Sequence, residues 1–121
     1  MPVKDSSSIV SREDYISLIK NNKHVIVVKF GAEWCKPCKQ IETYVNEFMS
    51  LSNDNVDCYV IDIDNAFDVY GYLKSKKIVT SIPTILMYTK DEPDPLTPHD
   101  VLIGTDVDGI KNIFQTADNW N

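Results

Sequence analysis

Val25-Ile26-Val27-Val28-Lys29-Phe30-Gly31-Ala32-Glu33-Trp34-Cys35-Lys36-Pro37-Cys38 joins an apolar run to two cysteines two residues apart. Val25 to Phe30 is an almost unbroken apolar, β-branched run and reads as a buried strand. Beyond the second thiol, Ile41, Tyr44, Val45, Phe48 and Met49 recur at the i, i+3, i+4, i+7, i+8 spacing of an amphipathic helix. The two cysteines therefore stand where a strand runs into a helix. Cys35 is expected at or near the helix N-terminus, where unpaired backbone N–H groups and the helix dipole favour a thiolate over a thiol.

Working outward, Ser11 and Asp14 form the cap of a first helix with Tyr15, Ile16, Leu18 and Ile19 as its buried stripe, ended by Asn21-Asn22. A short strand is expected near Ser8 to Val10. Val56 to Ile63 reads as a strand, followed by Asp64-Asn65 capping a helix that carries Ala66, Val69, Tyr70 and Leu73. Ser81-Ile82-Pro83-Thr84 leads into the apolar run Ile85 to Tyr88. A last strand, Val101 to Ile103, ends at Gly104, and Asp106 caps a final helix whose inner face is Val107, Ile110, Ile113, Phe114 and Ala117. The order is β-α-β-α-β-α-β-β-α, an α/β chain. Early alternation of strand and helix implies parallel crossovers, and the last two strands are close enough for an antiparallel pair. A mixed central sheet covered by helices on both faces follows. The connection from Lys90 to Asp100, with three prolines, is no tight hairpin turn and reads as a stiff solvated loop.

The 121 residues fit one domain over 1–121, with short flexible tails expected at about 1–5 and 118–121. A net charge of −6 without clustered Lys and Arg excludes nucleic acid as the main partner. The N-terminus lacks the apolar core of a signal peptide, and no stretch approaches the roughly 18 apolar residues of a membrane span, so a soluble, untargeted protein is expected. Three cysteines, two close together and one distant, suit a reducing compartment in which the pair cycles; the cytoplasm is the expected location.

Phe30-Gly31-Ala32-Glu33-Trp34-Cys35-Lys36-Pro37-Cys38-Lys39 resembles the active-site segment of the thioredoxin family, and Ser81-Ile82-Pro83-Thr84 resembles its cis-proline loop. The match in element order spans roughly residues 8–117. Trp before the first cysteine, Pro before the second and Ile-Pro-Thr further along give the bare C-x-x-C its context. The resemblance implies the thioredoxin fold and a thiol–disulfide oxidoreductase that needs no bound cofactor or metal. Cys35 would be the exposed nucleophile and Cys38 the buried resolving thiol. Trp34, Lys36, Pro37, Ile82, Pro83 and Gly104 would face the client, with the Ile82–Pro83 bond cis and the backbone at Ile82 and Gly104 pairing with an extended client segment. Protein disulfides are the implied substrates, a separate thioredoxin-reductase-type protein the electron donor, and a monomer the expected state.

The chain departs from the family pattern six residues before the first cysteine, where a buried Asp is usual and Lys29 stands here. The Lys usual on the neighbouring strand is replaced by Val60. Alternation puts Lys29 on the face of Val25 and Val27, with its stem covered. Two chemistries are open to it: as a cation it stabilises a nearby thiolate and makes the pair more oxidising, and as a neutral amine it accepts the thiol proton. Pairing with an acid such as Glu33 would leave it outside the chemistry. Gly31 replaces a bulky residue, which opens the surface beside the site.

Cys58, amid Val56, Tyr59, Val60 and Ile61, reads as a small buried hydrophobe. Neither His24 nor His99 has spacing to the cysteines that would complete a zinc site. A different class of function, a thioredoxin-fold binding module within a larger complex, is compatible with the same fold.

Overall fold

The computed structural model describes residues 3 to 120. Its elements run α1 (Arg12–Lys20), β1 (Val25–Gly31), α2 (Lys36–Leu51), β2 (Val56–Asp62), α3 (Phe67–Ser75), β3 (Thr84–Thr89), β4 (Asp100–Ile103) and α4 (Val107–Asp118). The four strands form one sheet in the order β2-β1-β3-β4. β1 lies parallel to β2 and antiparallel to β3, and β3 lies antiparallel to β4. Helices cover both faces, as the sequence predicts.

All seven residues of β1 are buried, which is why its sequence reads as a continuous apolar run and not as an alternation. Its side chains still separate by parity. Ile26, Val28 and Phe30 join Tyr15 and Ile19 of α1 and Val69 and Leu73 of α3 in one core. Val25 and Val27 join Ile41, Val45 and Met49 of α2 and Ile110, Ile113 and Phe114 of α4 in the other. In the first core the hydroxyls of Tyr15 and Tyr88 share a buried hydrogen bond of 2.8 Å.

α1 carries the expected capping box. The Asp14 N–H donates to Ser11 Oγ at 3.2 Å and the Ser11 N–H donates back to Asp14 Oδ2 at 2.9 Å. Asp106 caps α4 as expected, through the Asp108 N–H at 3.1 Å.

The strand expected at Ser8 to Val10 is absent. Asp5 accepts hydrogen bonds from the N–H and hydroxyl of Ser7, and Ile9 N–H donates to Ser6 O, so the serine-rich segment closes a turn instead. A single parallel bridge between Val3 and Cys58 stands in that strand's place. The Asp64-Asn65 cap is also corrected. Ala66 is the N-cap of α3 and supplies no side-chain hydrogen bond. Both N–H groups of Asn65 and Ala66 donate to Asp62 O, and Asp64 is engaged elsewhere.

The 90–100 connection is solvated over most of its length, but it is tied down at both ends. His99 Nδ1 lies 3.0 Å from Glu92 Oε1, and the His99 ring meets Trp120 edge-on with centroids 4.3 Å apart. Trp120 in turn donates its indole N–H to Asp91 at 3.0 Å. Where the terminal segments are described they too make contacts, with Lys4 N–H donating to Cys58 O at 2.9 Å.

Candidate active site

Strand register brings four separate chain segments to one end of the sheet. Phe30 pairs with Thr84, Gly31 with Asp62, and Thr84 with Ile103. The C-terminal ends of β1, β2 and β4 and the N-terminal end of β3 therefore meet there. The Trp34–Cys38 segment, Asp64, Pro83 and Gly104 all follow or precede these strand ends by a few residues. His24, at the start of β1, lies at the opposite end.

Cys35 is the N-cap residue of α2, in extended backbone with φ −86° and ψ 106°. Its sulfur accepts the Cys38 N–H at 3.2 Å, in the place a serine or aspartate oxygen occupies in other helices. Pro37 falls in the first turn, where a missing N–H costs nothing. The two cysteines are joined as a disulfide with their Cα atoms 5.2 Å apart. Both are buried, Cys35 being 4% and Cys38 3% exposed. The expected contrast between an exposed and a buried sulfur is thus missing from the oxidised form, because the Cys35 sulfur is folded over the first turn of α2. Lys36, Pro37 and Trp34 are the exposed members of the motif.

Trp34 is 67% exposed, yet its indole is oriented by a hydrogen bond of 2.8 Å to Asp64 Oδ2. The carboxylate expected to cap α3 thus binds Trp34, and the N-cap position itself holds Ala66, which has no polar side chain. The Ile82–Pro83 bond is cis, Pro83 is buried and Ile82 half-buried. Thr84 holds the turn with a hydrogen bond of 2.6 Å from its hydroxyl to Ser81 O. Gly104 adopts φ +103° and donates its N–H to Pro83 O at 3.0 Å, so the two loops are latched together. A backbone in that region of φ is why glycine stands there.

Lys29 is 5% exposed and its register partner on β2 is Val60. The two positions at which the chain departs from the family pattern are direct neighbours across the sheet. Burial is the main cause that pulls the Lys29 pKa below its ordinary value; Glu42 acts to raise it and Lys39 to lower it. The proposed Glu33 pairing is not formed: Glu33 is taken by Lys39 at 3.2 Å, and Lys39 also reaches Glu42 at 3.6 Å. A side chain on Gly31 would place its Cβ 3.4 Å from Cys38 Sγ and 3.8 Å from Lys29 Cε. Both groups thus reach the same small volume, and Gly31 leaves it open. A cavity of about 120 Å³ runs from there to the surface, bounded by Lys29, Gly31, Cys38, Glu42, Val60 and Asp62.

Glu42 escapes a reading of the sequence by motif. The signal for it is only helical: it follows Cys38 by four residues and so lies over the same face of α2. Cys58 is fully buried, unpaired, and its thiol is pushed up to about 12 by burial, as expected of a packing residue.

Comparison with known proteins agrees with this geometry. The Thioredoxin family profile matches residues 6–112. The chain is 32% identical to thioredoxin-2 of Saccharomyces cerevisiae over 82 residues, covering 68% of this chain and 74% of the yeast protein. The chain belongs to the thioredoxin family. Thioredoxin 1 of Plasmodium falciparum is 27% identical over 107 residues, covering 88% of this chain and 92% of that protein. Among solved structures, the oxidised thioredoxin from Plasmodium falciparum superimposes with a TM-score of 0.67 at 27% identity, covering 89% of this chain and 93% of that one. The Malassezia sympodialis thioredoxin gives 0.73 at 21% identity over 98% and 95% of the two chains, a likeness of fold. The protein is a thiol–disulfide oxidoreductase, with Cys35 and Cys38 as its disulfide-capable pair. Thioredoxins act on protein disulfides and are in general reduced by thioredoxin reductase. No helix among the described residues is long and apolar enough to cross a membrane.

Proposed function

We propose that Cys35 is the attacking thiol and Cys38 the resolving one, with protein disulfides reduced in two steps. The observation that carries this assignment is the placement of Cys35 Sγ at the N-cap of the 16-residue helix α2, accepting the Cys38 N–H. A helix N-terminus stabilises negative charge on that sulfur, and a thiolate is the form that attacks a disulfide. In the first step the Cys35 thiolate displaces one client sulfur and forms a mixed disulfide. In the second, Cys38 attacks Cys35 Sγ, the Cys35–client bond breaks, and the client leaves as a dithiol while the 35–38 disulfide forms.

Trp34, Lys36 and Pro37 line one side of the client path, and Ile82, Pro83 and Gly104 the other. The exposed motif side chains and the latched loops at the same end of the sheet support that arrangement. A separate reductase of the thioredoxin-reductase type returns the pair to the dithiol. The protein works as a monomer in the cytoplasm; one close cysteine pair beside one buried, free cysteine suits such a reducing compartment.

Insulin-disulfide reduction by dithiothreitol tests the assignment. The native protein should accelerate it and Cys35→Ser should abolish the acceleration, whereas Cys38→Ser should trap a mixed disulfide with insulin chains. Equal rates for native protein and Cys35→Ser would reject the assignment.

A further inference from the structure

We propose that Lys29 acts as a fixed buried cation that promotes ionisation of Cys38, that Glu42 opposes it from α2, and that the cavity left open at Gly31 is the path by which the Cys38 proton leaves. The inference rests on Cys38 being the resolving thiol and says how that thiol is made ready.

Three observations converge on this site. Lys29 Cε and Cys38 Sγ both lie within 4 Å of the point where a Gly31 side chain would begin. Lys29 is buried and belongs to no ion pair among the described residues, so its charge is not cancelled by a contacting carboxylate. The cavity between them has room for a few waters, and Glu42 is among the residues that line it. Lys39, which bridges Glu33 at 3.2 Å and Glu42 at 3.6 Å, and the Asp62 carboxylate, which accepts the Asp64 N–H at 2.8 Å, also face the cavity and add smaller fields of both signs that neither variant below removes.

A carboxylate beside a buried thiol takes up its proton. An ammonium has none of that capacity, and instead lowers the cost of the thiolate through its charge. During resolution the Cys38 thiol passes its proton to water in the cavity. The Cys38 thiolate then attacks Cys35 Sγ, the new S–S bond forms as the Cys35–client bond breaks, and the departing client sulfur takes the electron pair and a proton from solvent. Two cysteines are oxidised and one client disulfide is reduced. Glu42, an anion at the cavity wall, partly offsets the field of Lys29 at that sulfur.

The test is the pH dependence of Cys38 alkylation in a Cys35→Ser background, read by mass at Cys38 peptides so that Cys58 does not interfere. Adding Lys29→Met should raise the alkylation midpoint by about one to two pH units, the size of a unit charge about 6 Å away at an effective dielectric near 20. Adding Glu42→Gln should lower it. Shifts of opposite sign are what a field produces and a packing defect does not. Superimposable curves, or shifts in the same direction, would overturn the proposal. Glu42 is half exposed, so its variant is expected to fold even where Lys29→Met does not, and an unshifted or raised midpoint for Glu42→Gln alone would also overturn it. No client takes part in this experiment, so its outcome is independent of insulin turnover, which judges the roles of the two cysteines.

Discussion

The indole of Trp34 donates to Asp64 across 2.8 Å, joining the residue before the first cysteine to the turn that precedes α3. The ring is otherwise open to solvent, so this bond sets its orientation. Asp64→Ala should lower stability by about 0.5–1.5 kcal/mol, the usual worth of a solvent-accessible hydrogen bond. The larger effect should fall on client binding: the apparent KM for insulin rises severalfold while kcat stays within about twofold, the pattern of a lost positioning contact. Steady-state kinetics and urea unfolding on the same variant check both.

Lys29 predicts a pH-dependent stability difference. Burial lowers its pKa in the folded protein below the ordinary 10.5, so the unfolded chain binds more protons between those two values. Native stability therefore rises with pH across that window, and the penalty is fully present below it. Lys29→Met abolishes the penalty. The oxidised variant should be more stable than the native protein at pH 7, and the margin should shrink as the pH rises toward 10.5. Urea unfolding of both proteins at neutral and alkaline pH gives the difference directly; a margin independent of pH would contradict the assignment of the shift to burial.

Gly104 holds φ +103° with its N–H bonded to Pro83 O. No neighbouring atom lies within 4 Å of where a Cβ would stand, so the obstacle to a side chain is the backbone itself. Gly104→Ala should destabilise by about 1–3 kcal/mol. Since that strain relaxes by breaking the latch to Pro83, insulin turnover should fall as well, and a stable, fully active variant would count against the latch.

The hydroxyls of Tyr15 and Tyr88, both fully buried, have one another as their only hydrogen-bond partners among the described residues. Burial is the main reason their hydroxyls ionise well above the ordinary value of 10.0. Tyr88→Phe leaves the Tyr15 hydroxyl without a partner and should cost about 1–3 kcal/mol. The double Phe variant should cost less than the two single changes together, because the orphaned hydroxyl is then gone. A double-mutant cycle by denaturant unfolding measures the difference.

Much of the architecture was legible because it rests on local rules. The capping box at Ser11 and Asp14, the 16-residue helix after Cys35 and the cap at Asp106 each follow from residues within a few positions of one another. The misreadings have two kinds of cause. Ser8 to Val10 has strand-like residues at its end, but Asp5 and Ser7 close a turn first. Asp64 has the chemistry of a cap, but Trp34, thirty residues away in the chain, claims its carboxylate. Cys35 was expected to stand out from Cys38 in exposure, yet the sulfur that caps α2 is buried by doing so. At Ser8 to Val10 and at Cys35 one local hydrogen bond outweighed another local preference, and only at Asp64 did a contact from a distant part of the chain decide.

The eight helices and strands, the C-x-x-C at a helix start, the proline-containing turn before β3 and the chemical anomaly at Lys29 are all legible along the chain. These depend on periodicity, on restricted dihedrals and on residue type, all of which are written along the chain. That Lys29 sits across from Val60, that it shares an open volume with Cys38, and that Glu33 pairs with Lys39 and leaves Glu42 to line the cavity beside Lys29 follow from the packing alone. Those relations are set by strand register and by which face of α2 packs on the sheet. Burial of two distant apolar surfaces fixes both, and no short stretch of residues contains that information.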